Sequence, residues 1–145
     1  MTGITNPTEE YFKDGLWGWD GTRWRKLALL WGYSAAYYER LTQAEATAET
    51  MMDGSTVPAG EVWVVTSVVA WDNDNIITDI TGFTYGDAVW IALGQKQSFT
   101  AAQEYWEWRG SIVVPAGGHI RVRFRGCTVG DDLFVDICGY KMRIT

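Results

Sequence analysis

The stretch SIVVPAGGHIRVRFRG, Ser111 to Gly126, decides the fold class. A β-branched run closes at Val114, and Pro115-Ala116-Gly117-Gly118 turns the chain. His119 to Arg125 then alternates strictly, with Ile120, Val122 and Phe124 on one side and Arg121, Arg123 and Arg125 on the other. That period of two belongs to a strand with one buried and one solvated face. Proline presets φ and glycine accepts positive φ, so the middle segment reads as a turn between two strands.

The same grammar extends in both directions. VPAG occurs at Val57–Gly60 and again at Val114–Gly117, each time before a strand. The flanks do not match, so this is one turn solution used at two corners of a sandwich rather than a repeat. EVWVVTSVVAW follows the first copy, and Asp72-Asn73-Asp74-Asn75 breaks it. IITDITGFTYG, AVWIALG and YWEWRGSIVV supply further strands. LFVDICGYKMRIT closes the chain and is apolar enough for the middle of a sheet. Its core parity reads as Phe134, Cys138, Tyr140, Met142 and Ile144, with Gly139 as a bulge or flat spot. About eight short strands at close spacing argue for an all-β sandwich or barrel. The fold class expected here is mainly β, a jelly-roll-like antiparallel β-sandwich.

Residues 34–52 carry conflicting signals. Alanine and glutamate favour helix. Leu41 to Thr50 nevertheless alternates, with Thr42, Ala44, Ala46, Ala48 and Thr50 on one side, and the segment reads as an extended strand.

The N-terminal third holds GLWGWDGTRWRKLALLWGYS, Gly15 to Ser34, with four of the nine tryptophans. Asp20-Gly21 suits a two-residue type I′ turn, which would pair Trp17 with Trp24. A lone ribbon is marginal in water, so it must pack on something. Residues 1–33 are therefore read as an arm with a Trp-rich hairpin, and 34–145 as the sandwich body. Trp17, Trp19, Trp24 and Trp31 pack either on their own body or on a neighbouring subunit. The second reading makes them the candidate partner-binding residues.

Composition narrows the function. The chain has 145 residues, 47% hydrophobic and 21% charged, enough for one folded domain. A net charge of −6 argues against a nucleic-acid partner. No apolar run approaches the ~20 residues that span a bilayer, so no membrane partner is expected. The acidic start lacks an apolar signal core, which points to folding in a cytoplasm. A hairpin about Val129-Gly130-Asp131-Asp132 would set Cys138 opposite Val122, so no bridge to Cys127 is expected.

Chemistry finds little purchase. His119 is the one histidine, and no GxSxG or phosphate loop accompanies it. One histidine and two cysteines do not close a zinc site. Counted from Asp72, the glycine and glutamate positions of a calcium loop hold Ile77 and Phe83, so the segment reads as a polar loop, with an ion between loop carboxylates as the alternative. Glu104 and Glu107 flank Trp106, but nothing sets them across a cleft. No catalytic residue, metal ligand or cofactor is assigned, and an enzyme is not expected. Trp63, Trp71 and Trp90 sit in strand runs and read as core. Binding remains, either as an assembly protein or as a carbohydrate-binding module that stacks sugars on Trp106 and Trp108.

GLWGWDGTRWRKLALLWGYS, VPAGEVWVV, SIVVPAGGHIRVRF and the closing GYKMRI together resemble small virion proteins of tailed bacteriophages. In particular they resemble the decoration, or auxiliary capsid, proteins of long-tailed phages, including those of thermophilic bacteria. The likeness covers most of the chain and is one of texture, and short W-D-G-x-x-W hairpins also occur in tail and fibre proteins. It implies a homotrimer made and assembled in the host cytoplasm, seated on the capsid exterior with the major capsid protein as partner. It implies a mechanical role, stabilising the shell by bridging capsomers, with a tail or fibre component as the alternative.

Overall fold

The computed structural model describes residues 16–19, 24–27, 33–44 and 47–143. The chain divides into two compact units, Met1–Tyr33 and Ser34–Thr145. In the first, β1 (Leu16–Trp19) and β2 (Trp24–Leu27) pair antiparallel. The register sets Trp19 opposite Trp24 and Trp17 opposite Lys26, which corrects the expected Trp17–Trp24 pair. Four residues, 20–23, separate the strands instead of two, and each added pair of linking residues moves the register by two. Trp31, the Asp20-Gly21 turn and the start of the arm lie outside the described residues, as does Ile144.

The second unit contains β3 (Tyr33–Gln43), β4 (Glu49–Asp53), β5 (Glu61–Asp72), β6 (Asp79–Gly86), β7 (Val89–Gln97), β8 (Tyr105–Val114), β9 (His119–Arg125) and β10 (Leu133–Arg143). They form two four-stranded antiparallel sheets, ordered β3-β10-β5-β8 and β4-β9-β6-β7. Consecutive strands fall in opposite sheets except β6 and β7, which pair as a hairpin within one; this is the jelly-roll order, and the body is a sandwich.

Residues 34–43 and 49–52 are extended, but in two separate strands, β3 and β4. β3 belongs to one sheet and β4 to the other, so a single alternation cannot run through. Tyr37 is buried from β3, and Thr50 and Met52 from β4. β9 behaves as its alternation requires, with Ile120, Val122 and Phe124 buried.

β10 lies centrally, between β3 and β5, but its inward parity is Leu133, Val135 and Ile137, not Phe134 and Cys138. The outward parity carries Asp136, whose carboxylate receives Nε and Nη2 of Arg40 at 2.6 Å each. A charged residue on that side marks it as the wet face. The expected β9–β10 hairpin does not form either, because the two strands belong to different sheets. Both cysteines are free, Cys127 buried and Cys138 half-buried.

The two VPAG segments make the same turn. The Glu61 amide donates to the Pro58 carbonyl at 3.2 Å, and the Gly118 amide to that of Pro115 at 2.9 Å. Gly60 (φ 79°) and Gly117 (φ 81°) occupy the positive-φ position of a type II turn. The two copies also meet: Val57 N donates to Gly118 O at 2.9 Å and Gly117 N to Val57 O at 2.8 Å.

The core runs from Tyr37 and Trp63 through Val68, Ile80, Phe124 and Leu133. Trp106 is 5% exposed and lies within it, while Trp108 is half-buried and packs against its edge. Gly82 and Gly94 face each other across β6 and β7 and form the flat floor under the Trp106 indole. Trp106 therefore has no free ring face for a sugar.

Candidate binding face on the β4-β9-β6-β7 sheet

The outward side of β9 organises this sheet into cross-strand rows. Asp53, Arg121 and Phe83 form one row, Met51, Arg123 and Thr81 the next, and Glu49, Arg125 and Asp79 the third. His119, Tyr85 and Trp90 extend the surface to the edge strand β7. The alternation that buries Ile120, Val122 and Phe124 is what lines these groups up.

Trp90 is the centre of the face. The expectation that it fills the core is overturned, since it is 43% exposed. β7 is an edge strand, and its neighbours Val89 and Ile91 are exposed as well. The indole is nonetheless held in place. Tyr85 packs on it with ring centroids 4.6 Å apart, and His119 and Phe83 meet it edge-on at 5.4 and 6.4 Å. The Arg121 guanidinium carbon sits 4.4 Å from the indole centroid. That cation–π contact is worth roughly 0.5–1 kcal/mol at an exposed site. Asp53 fixes the guanidinium by accepting from Nε at 2.5 Å and Nη2 at 2.6 Å.

Met51, Phe83, Trp90, Arg121 and Arg123 line a shallow pocket of about 180 Å³. Pockets that bury a small molecule run to roughly 300–1,000 Å³, so this one suits a protruding side chain better than an enclosed ligand. Two polar atoms of the face, His119 Nε2 and Arg123 Nε, are buried without a hydrogen-bond partner among the described residues. His119 Nε2 stands 3.7 Å from Asp53 Oδ1, beyond hydrogen-bond range.

The third row is a structural clamp. Asp79 is 1% exposed and accepts from Arg125 Nε at 2.7 Å and Nη2 at 2.6 Å. Burial works to raise the Asp79 pKa, but the hydrogen bonds from Arg125, Gln95 and Thr81, with the Arg125 charge, outweigh it and hold the carboxyl below the usual range. A depressed carboxyl pKa stabilises the fold above the unfolded value of about 3.9, and that contribution is lost as pH falls through the lower folded value. Acid titration of stability, followed by circular dichroism, is expected to show a fall below about pH 4 that Asp79→Asn makes shallower. An unchanged acid limb in the variant would remove Asp79 from that account.

The other carboxylates near the sugar-stacking candidates serve the scaffold. Glu104 accepts from Lys96 Nζ at 2.5 Å and the Thr100 amide at 2.8 Å, which hold its pKa down to about 2. Glu107 pairs with Arg109 at 2.6 Å. Trp71 stacks on Phe134 with ring centroids 5.2 Å apart, and Trp63 lies in the core under Lys141 Nζ, 4.3 Å from its ring. Trp17, Trp19 and Trp24 have register positions on the paired strands of the first unit. The Trp90 face escaped the sequence reading, although three arginines opposite an apolar parity marked the outer side of its sheet.

No protein-family model matches the chain, and no curated protein matches it in sequence. No helix among the described residues is long and apolar enough to cross a membrane.

Proposed function

We propose that this protein is a non-enzymatic structural component of a tailed-phage virion, a decoration protein that binds the outer capsid surface as a homotrimer and stabilises the shell by bridging capsomers. The observation that carries the reading is the exposed Trp90, clasped by Arg121, Tyr85 and Phe83 on an edge strand. Tryptophan, tyrosine and arginine are the types that dominate interface hot spots. A ring already immobilised by its neighbours loses little further freedom on docking. An acceptor from a partner at Arg123 Nε would satisfy a group that is costly to leave unpaired. The arm tryptophans Trp17, Trp19, Trp24 and Trp31 supply a second contact onto a neighbouring subunit or the major capsid protein. The capsid location rests on the resemblance of the sequence to that family.

The test is co-sedimentation of the purified protein with expanded empty shells, beside sedimentation equilibrium of the protein alone. A trimer that pellets with shells is the expected result. Trp90→Ala is expected to weaken attachment by about 30-fold or more, the weight of a hot spot of about 2 kcal/mol. Attachment at wild-type strength would remove Trp90 from the interface. A clean monomer whose tryptophan fluorescence responds to a soluble glycan would replace the capsid reading with a carbohydrate-binding one.

A further inference from the structure

The turn after β5 and the connection from β9 to β10 meet at one end of the second unit. Asn73 N donates to Asp132 O at 2.9 Å, and Asp132 N to Asp74 Oδ2 at 2.7 Å. Asn75 Nδ2 donates to Asp131 Oδ1 at 2.6 Å. Between these loops stand three carboxylates, Asp72, Asp74 and Asp131, with one oxygen of each within 4.8 Å of the others.

Two of the three are out of water. Asp72 is 1% exposed and Asp131 3%. Asp72 Oδ1 accepts from the amides of Asp74 and Asn75, at 2.9 and 3.1 Å. Its Oδ2 is buried and has no hydrogen-bond partner among the described residues. Among the described residues no lysine or arginine forms an ion pair with any of the three. Buried charge of one sign is tolerated only when something compensates it. A proton shared between Asp72 and Asp131 would remove one charge and leave the other buried in the pair.

We infer that Asp72, Asp74 and Asp131 hold a calcium ion that ties the turn after β5 to the β9–β10 connection. Calcium takes oxygen ligands in flexible geometry and accepts carboxylates, carbonyls and water together. Asp72 and Asp74 have the alternate spacing by which one loop sends two carboxylates to one ion. The third ligand comes from far along the chain, so counting forward from Asp72 could not find it. Backbone and side-chain donors orient all three carboxylates: Thr128 N holds Asp131 Oδ2 at 2.8 Å, alongside the contacts above.

The experiment uses the full chain, freed of metal with a chelator. Calcium chloride is titrated in by calorimetry at pH 7, with terbium luminescence excited through tryptophan as a second probe. One saturable site per chain and a higher thermal midpoint with calcium than with chelator are expected. Asp131→Asn is expected to weaken binding at least 10-fold. Asp74→Ala, at an exposed position that leaves the buried pair in place, is expected to do the same while remaining folded. Absence of a saturable site in the wild type overturns the inference. So does binding that both variants leave unchanged.

Discussion

Trp106→Ala lowers the stability of the sandwich by about 3–5 kcal/mol, the cost of removing a large aromatic from a core that cannot collapse into the space. For a body of this size that is a drop in thermal midpoint of roughly 10–20 °C. The indole bridges the sheets: it rises from β8 in one and rests on Gly82 and Gly94 of the other. Neither glycine has a side chain to move into the vacated volume. Trp106→Phe keeps part of the ring and is expected to cost clearly less. Urea denaturation followed by circular dichroism measures both. A loss below about 1 kcal/mol for the alanine variant would mean the indole is not wedged between the sheets.

Gly139→Ala is expected to be nearly as damaging for a one-carbon change. Gly139 pairs with Val65 and Cys138 with Ser67, so Thr66 is the extra residue of a bulge on β5. The strand there comes so close that a Cβ on Gly139 would overlap the Val64 carbonyl oxygen, with the Val65 Cα 2.9 Å away. Those are backbone atoms of the neighbouring strand and cannot rotate aside. Overpacking of this kind costs about 1–3 kcal/mol. Gly60→Ala provides a contrast, because its Cβ would meet nothing within 4 Å and only its positive φ resists. Urea midpoints that fall less for Gly139→Ala than for Gly60→Ala would show that the strands separate easily at the bulge.

The same strand shows how far local sequence defines a face. Gly139 was legible as an irregularity, since glycine in an apolar strand packs nothing. Which parity faced inward was not, because Leu133, Val135 and Ile137 compete with Phe134, Cys138 and Tyr140 on hydrophobicity alone. Asp136 was the deciding clue, and it acquires its meaning only through Arg40, 96 residues away.

The tryptophans make the same point in reverse. In a strand, Trp106 and Trp108 share a face, and alternation alone offers both to a sugar. Whether that face meets solvent or the opposite sheet depends on Gly82 and Gly94, which give no local signal of a partner. Trp90 sits in an apolar run that reads as core, but β7 is the last strand of its sheet and the ring stays 43% exposed. The carboxylates of Asp72 and Asp74 were visible as a polar break, and Asp131 as part of a turn. Only the crossing of two loops brought them together.

Period-two alternation, paired VPAG turns and the apolar C-terminal run were enough to establish strands, turns and a two-layer β architecture, because each is a property of neighbours along the chain. The inward face of β10, the burial of Trp106, the exposure of Trp90 and the meeting of three aspartates are set by contacts between segments distant in sequence. Local periodicity says that a strand has two faces. Packing of one sheet on another says which of them is dry.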